Sequence, residues 1–109
     1  MTDCIAVLVT VGSPEEGERI ARALVEERVA ACVNLVGPIK STYRWQGKIR
    51  RDEELLLIIK TRAALFAEVE ARVKALHSYG TPEVIALPIT SGAQAYLEWL
   101  RAETQLPGK

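Results

Sequence analysis

The chain contains one histidine, His77, and this residue offers the clearest chance of metal chemistry. It follows a predicted helix, where the helix dipole favours a cation, and imidazole is a ligand that suits copper and zinc. A single histidine cannot form a metal site, so it would need Cys4, Cys32, carboxylates or another subunit. The competing interpretation is a surface or helix-capping histidine, with the two cysteines as buried, reduced thiols.

Aromatic and charged residues near a predicted hairpin suggest a second kind of site. Tyr43 and Trp45 are two residues apart on one predicted strand and therefore share a face. Such aromatics usually pack across strands or within an interface, and they can also line a ligand cleft. The candidate cleft residues are Tyr43, Trp45, Lys48, Tyr79 and Glu83, provided that neighbouring subunits bring them together.

Charged residues of both signs follow one another at the tip of this hairpin. The basic cluster consists of Arg44, Lys48, Arg50 and Arg51. A solvated tip is the favoured interpretation of this cluster, and a site for an anion or small metabolite between subunits is the alternative. The acidic run Asp52-Glu53-Glu54 partly cancels its charge. We expect these carboxylates not to converge, because neighbouring residues of a strand point to alternating faces.

Composition and motifs exclude several classes of function. The 14 basic and 14 acidic residues give zero formal net charge, which disfavours a nucleic-acid partner. No apolar run approaches the ~18–20 residues of a membrane span, and the absence of a basic region before the first apolar stretch predicts no signal peptide. We find no nucleophile elbow, phosphate loop, glycine fingerprint or Cys/His metal spacing. The chain is therefore predicted to be a cytoplasmic protein without enzymatic activity.

The elements that must position these residues follow from hydrophobic patterning and turn signals. Two long strands, 30–45 and 48–61, meet at Gln46-Gly47, and Gly37-Pro38 interrupts the first with a bend, bulge or edge position. Two shorter strands are predicted over residues 3–11 and 82–89.

Three helices are predicted from their start signals. Ser13, Pro14 and Glu16 form a capping box with proline at the first helical position. Thr61 is expected to cap the second helix, which ends near Leu76 and buries Leu65, Val69, Val73 and Leu76. Ser91 to Gln94 resembles another capping box. The last helix should turn Ala93, Tyr96, Leu97 and Leu100 inward.

The resulting order β-α-β-β-α-β-α predicts one α+β domain over residues 1–109, a ferredoxin-like split sandwich with an extra C-terminal helix. In three strands, for example at Leu55–Ile59, both faces are apolar. This fold normally leaves one face of the sheet to solvent, and the residues of that face are then polar. One short final helix can cover only part of the second face. We therefore expect a homo-oligomer, with another copy of the chain covering the rest.

Several separate motifs make the chain similar to a known family. They are residues 30–35 (AACVNL), 41–48 (STYRWQGK), 53–61 (EELLLIIKT), 77–83 (HSYGTPE), 87–89 (LPI) and 96–100 (YLEWL). In order and spacing, from about Cys4 to Leu100, they resemble the CutA family of divalent-cation tolerance proteins.

The resemblance implies a ferredoxin-like subunit in a compact homotrimer, with the long hairpins pairing between subunits. It also implies a role in tolerance of copper and other divalent metals and no established enzymatic activity. The ion implied for His77 is Cu(II), and less strongly Zn(II), with no required cofactor. Two positions depart from the family pattern. Ser78 replaces a usual proline, and Val9 stands where some relatives carry a cysteine that could serve as a soft copper ligand.

Two other functions stay open from the sequence. Nitrogen-regulatory proteins of the P-II type share this fold and trimeric state, so the chain could be a trimeric small-molecule sensor with its ligand at the subunit interface; fold by itself does not fix function. A purely structural assembly module is the third interpretation, supported by the two apolar sheet faces.

Overall fold

The computed structural model describes residues 2–107, which form a four-stranded antiparallel sheet with three α-helices. In chain order the elements are β1 (Cys4–Val11), α1 (Pro14–Glu26), β2 (Cys32–Trp45), β3 (Lys48–Arg62), α2 (Phe66–Leu76), β4 (Ile85–Pro88) and α3 (Gln94–Glu103). The strand order in the sheet is β2-β3-β1-β4. This arrangement confirms the predicted ferredoxin-like α+β fold with an extra C-terminal helix.

The main core lies between one face of the sheet and helices α1 and α2. Val7 and Val9 of β1 are fully buried there, as are Ile20 of α1 and Val69 of α2. Alternation in β1 points every second side chain into this core, and helical spacing supplies the facing stripe. We call this side of the sheet the helix face, and the opposite side the second face.

Helix α3 covers one end of the second face. Leu97 and Leu100 pack there against Cys4 and Ala31. Other apolar side chains on β4 and α3 stay open to solvent, with Ile85, Leu87, Tyr96 and Trp99 each 43–50% exposed. This confirms that one short helix leaves part of the second face uncovered in a single chain.

A β-bulge in β2 decides which side chains of the hairpin reach the second face. Val36 pairs with Leu56 and Ile39 pairs with Glu54, so β2 carries one extra residue between these pairs. Gly37 adopts φ 156°, a conformation that favours glycine. Because of the bulge, Tyr43 lies on the face that Glu54 occupies. The predicted interruption at Gly37-Pro38 is thus confirmed as a bulge.

The first predicted helix cap is confirmed in part. Ser13 is the N-cap of α1, where its Oγ accepts a hydrogen bond of 3.2 Å from the Glu16 N–H, and Pro14 is the first helical residue. The Glu16 side chain does not return to Ser13, because its Oε2 accepts the Ser78 N–H instead.

The other two predicted caps are wrong. Thr61 lies inside β3, where its buried hydroxyl donates a 2.6 Å hydrogen bond to the Val29 carbonyl. A 3₁₀ turn over Ala63–Leu65 precedes α2 instead. The N-cap of α3 is Ala93, without a side-chain hydrogen bond.

Residues of the last helix and the last strand also differ from prediction. Ala93 and Tyr96 are exposed rather than turned inward, whereas Leu97 and Leu100 are buried as predicted. The predicted strand 82–89 is shortened to Ile85–Pro88, which pairs with β1. Prolines cannot donate to a ladder, so Pro82 and Pro88 restrict the strand to a short edge segment. The other strand bounds differ by at most two residues.

None of the helices in the described residues 2–107 is long and apolar enough to cross a membrane.

Candidate functional site

A groove of about 640 Å³ opens on the second face, where the hairpin meets the segment that follows α2. It is lined by Thr10, Ser41, Thr42, Tyr43, Trp45, Arg50, Asp52, Glu54, Tyr79, Gly80, Thr81 and Glu83. Its volume lies within the range typical of pockets that hold small molecules. We call this feature the groove.

Four of the five candidate cleft residues line the groove: Tyr43, Trp45, Tyr79 and Glu83. They come together within one chain, whereas the sequence argument expected neighbouring subunits to do this. Lys48 is not among the lining residues. It pairs with Trp45 at the hairpin turn and is exposed there, at the distal end of the arm.

The acidic run alternates between the two faces of β3, as expected, so its three carboxylates do not converge as a set. Asp52 and Glu54 are two positions apart on β3, share the second face and both line the groove with Glu83. Glu53 lies between them and does not line it. Spacing by two residues was the signal in the sequence for this pair, but the contribution of Glu83 depends on how the chain folds back.

Two tyrosines hold the carboxylates of β3. The Tyr79 hydroxyl donates a 2.8 Å hydrogen bond to Oε2 of Glu54, and the Tyr43 hydroxyl donates to Asp52. Burial and the hydrogen bond to Glu54 raise the pKa of Tyr79. The hydrogen bond to Asp52 is the main cause that raises the pKa of Tyr43. Both phenols therefore stay protonated and act as donors at neutral pH.

The groove carries an excess of negative charge. Burial raises the pKa of Glu83, and the negative charge of Glu54 adds to this shift. Arg50 is the one cationic side chain in the lining, against the carboxylates of Asp52, Glu54 and Glu83. The groove therefore offers hydrogen-bond acceptors, phenol donors and aromatic surface.

His77 lies beside the groove, behind its Tyr79 wall. It is the C-cap of α2, as one interpretation predicted, but its ring is fully buried rather than on the surface. Nε2 is 2.7 Å from the Thr10 carbonyl, which can only accept, so Nε2 carries a hydrogen. Nδ1 accepts the Tyr79 N–H at 3.0 Å and lies 3.1 Å from Oε2 of Glu16. Both ring nitrogens are thus engaged by the protein.

The two cysteines lie too far from His77 to complete a metal site. Cys4 begins β1, and Thr10, which touches the His77 ring, is six residues further along, a separation of about 20 Å. Cys32 pairs with Lys60, near the Cys4 end of the sheet. Within residues 2–107 no group of three or more His, Cys, Asp and Glu side chains is arranged to hold a metal ion. A metal role for His77 stays a prediction.

Comparison with known sequences gives a match along almost the whole chain. Residues 5–103 match the family model described as CutA1 divalent ion tolerance protein. The divalent-cation tolerance protein CutA of Thermus thermophilus is 55% identical over 98 residues, which cover 90% of this chain and 95% of that protein. The chloroplastic CutA of Arabidopsis thaliana is 52% identical over 101 residues, or 93% of this chain and 56% of that protein. The chain thus spans little more than half of the plant relative.

Solved structures agree with the sequence matches. The Thermus thermophilus divalent cation tolerance protein superposes with a TM-score of 0.92 at 53% identity, covering 94% of this chain and 99% of that one. The periplasmic divalent cation tolerance protein CutA of Archaeoglobus fulgidus gives a TM-score of 0.91 at 45% identity, with coverage of 94% and 99%.

Proposed function

The chain belongs to the CutA1 divalent ion tolerance family, and on this basis we propose that it acts in the tolerance of divalent metal ions as a homotrimer without enzymatic activity. The observation that carries the proposal is the match over residues 5–103, together with relatives named for divalent-cation tolerance. The domain proposed for this role is the whole chain, residues 1–109.

The uncovered part of the second face supports self-association, and the number of three copies is proposed from the family. Leu87 is 49% exposed on β4, and Trp99 is 43% exposed on α3. Trp99 also contacts the exposed Tyr96, with ring centroids 5.5 Å apart, and contiguous exposed apolar surface is typical of interaction sites. The partner we propose is a second copy of the chain, since zero net charge gives no reason to expect a nucleic-acid partner.

Cu(II), and less strongly Zn(II), is the ion we propose for this function, with His77 as the candidate ligand. A metal could reach this ring only if one nitrogen gave up its bond to the Thr10 carbonyl or to the Tyr79 N–H. We therefore expect weak binding. Metal binding at Nδ1 would displace the Tyr79 N–H and, through the Tyr79 hydroxyl, affect Glu54 in the groove.

Calorimetric titration of the purified protein with Cu(II) and Zn(II), with the mass determined by light scattering in the same buffer, tests this proposal. We expect three times the 12.0 kDa of one chain and saturable Cu(II) binding near one ion per chain. His77→Ala should weaken that binding while circular dichroism and mass stay unchanged. Equal affinity in the variant would remove His77 from the site, and a monomeric mass would overturn the trimer.

The cytoplasm is the proposed location. Cys4 and Cys32 are both free thiols, as expected in a reducing compartment. Relatives are named as chloroplastic in Arabidopsis thaliana and periplasmic in Archaeoglobus fulgidus, so location varies within the family.

A second candidate function is a trimeric small-molecule sensor of P-II-like architecture. The observation that favours it is that Tyr43, Trp45, Tyr79 and Glu83 line one groove of ligand size. A thermal-shift screen with nucleotides and metabolites tests it, because a ligand of the folded state raises the melting temperature. A screen in which no compound shifts the transition would count against this function.

A further inference from the structure

In a single chain, three aromatic rings in the walls of the groove are partly open to solvent. Tyr43 is 40% exposed, Trp45 is 46% exposed and Tyr79 is 38% exposed. Tyr43 and Trp45 stand two residues apart on β2, so their rings line the same side. An aromatic face attracts a cation that lies within about 6 Å of the ring centre, with Trp the strongest partner.

The polar part of the lining also favours a positive charge. The carboxylates of Asp52 and Glu54 are each held by a tyrosine hydroxyl, which orients them and leaves acceptor capacity unused. Among residues 2–107, no hydrogen bond or ion pair engages the side chain of Glu83. The lining of the groove thus combines the unpaired carboxylate of Glu83 with the two fixed carboxylates of β3, against the single guanidinium of Arg50, which lies beside Tyr43.

We propose that the groove binds a small organic cation, an ammonium or guanidinium compound, whose charged group is held between the aromatic rings of Tyr43 and Trp45 and the carboxylate of Glu83. This inference rests on the second candidate function and names its class of ligand. A volume of about 640 Å³ accommodates several carbon atoms besides the charged group. A bare metal ion is a poorer match, because the lining presents aromatic surface and the carboxylates do not form a metal-holding group.

Burial and the charge of Glu54 raise the pKa of Glu83. A bound cation would supply the missing opposite charge and stabilise the ionised form. The same electrostatic attraction predicts that binding weakens as ionic strength rises.

Three four-carbon probes of similar length test the class of ligand. Putrescine is a dication, 1,4-butanediol is neutral and succinate is a dianion; agmatine adds a guanidinium group. Each is titrated calorimetrically into the purified full-length protein at low and high salt. We expect saturable binding of putrescine or agmatine that weakens with salt, and no saturable binding of butanediol or succinate.

Two variants locate the binding, and one matched variant serves as a control. Glu83→Gln removes one charge without changing size and should weaken cation binding about tenfold. Trp45→Leu should weaken it by removing the aromatic face. Glu53→Gln makes the same chemical change on the opposite face of β3, outside the groove, and should leave the affinity unchanged.

Several outcomes would overturn the proposal. Succinate or butanediol binding as tightly as the diamines would exclude a cation site. Equal losses of cation affinity in Glu83→Gln and Glu53→Gln would show a general effect of protein charge rather than binding in the groove. Absence of binding by all four probes would also overturn it. If the metabolite screen still identified a ligand, the sensor function would stand and only its proposed chemistry would fall.

Discussion

The hydroxyl of Tyr79 donates a 2.8 Å hydrogen bond to Oε2 of Glu54 and so fastens the segment after α2 to the long hairpin. Glu54 is only 7% exposed, so this bond satisfies a carboxylate that has little access to water. The backbone of Tyr79 is held as well, because its N–H donates to Nδ1 of His77. The Tyr79 wall of the groove is therefore positioned by two hydrogen bonds, one from the side-chain hydroxyl and one from the backbone N–H.

Replacement of Tyr79 by Phe should destabilise the protein by about 1–3 kcal/mol, because a buried acceptor loses its donor. Tyr43→Phe is the matched control, since it removes the same group from a pair that is exposed. It should cost less than about 1 kcal/mol. Urea denaturation at one fixed protein concentration measures both. Equal costs for the two variants would contradict the importance assigned to the Tyr79–Glu54 bond.

Substitution of Gly12 by Ala should disturb the same bond. A Cβ at this position would lie 3.1 Å from the Tyr79 hydroxyl oxygen, whereas a Cβ at Gly80 would have no neighbour within 4 Å. Gly80→Ala should therefore stabilise the protein by up to about 1 kcal/mol, because alanine lowers the conformational entropy of the unfolded chain. Gly12→Ala has the same effect on the unfolded chain, but the contact with the Tyr79 hydroxyl should cancel most of the stabilisation.

The Tyr79→Phe background provides a control for this pair. Without the hydroxyl, the nearest ring atoms of residue 79 would lie 3.7–3.8 Å from the new Cβ, an ordinary contact. Gly12→Ala should then become as favourable as Gly80→Ala in thermal denaturation. A penalty that persists in this background would assign the effect to the backbone rather than to the hydroxyl.

Removal of the Glu83 charge should change the pH dependence of stability. The pKa of Glu83 in the folded state is raised above its ordinary value of 4.5. At pH values between 4.5 and this raised pKa, the folded state therefore binds more protons than the unfolded state. Ionisation of Glu83 therefore costs stability as pH rises through this window, and Glu83→Gln should be the more stable form at pH 7.

The expected gain is below about 1 kcal/mol, since the exposed side chain is screened by solvent. Denaturation curves at pH 7 and pH 4 should show the gap between variant and wild type closing at the lower pH. A gap that grew on acidification would reverse the sign and contradict the raised pKa.

A charge on the second face should break the proposed trimer. Leu87→Glu places a carboxylate on β4, whereas Val25→Glu makes a comparable change at a 42% exposed position of α1 on the helix layer. Light scattering should give one chain mass for the first variant and three for the second. Loss of the trimer in both variants, or in neither, would place the interface elsewhere.

Much of the architecture followed from local sequence signals. The apolar, β-branched run that forms Cys4–Val11 and the length of the two central strands were enough to predict the sheet, and Ser13-Pro14 identified the start of α1. The cap expected at Thr61 failed because its hydroxyl has a tertiary partner, the Val29 carbonyl, 32 residues away. A short motif carries no information about such a competitor.

The candidate site was also predicted only in part, because some of its residues are brought together by contacts that are distant in sequence. The pair Tyr43 and Trp45 follows from strand period, and both line the groove. Convergence of Glu83 with Glu54 depends on how the segment after α2 crosses the hairpin, which the local pattern does not specify. The burial of His77 was also missed, because the groups that enclose its ring, Thr10 and Glu16, are more than 60 residues away.

The copper tolerance of living cells tests the central claim most directly. The lowest inhibitory Cu(II) concentration is measured in a bacterial strain deleted for its own member of this family, with and without expression of this chain. The account predicts that the wild-type chain and Val25→Glu raise this concentration, while Leu87→Glu at equal abundance does not. An unchanged inhibitory concentration, with folded trimeric protein present in the cells, would contradict a role in divalent-cation tolerance.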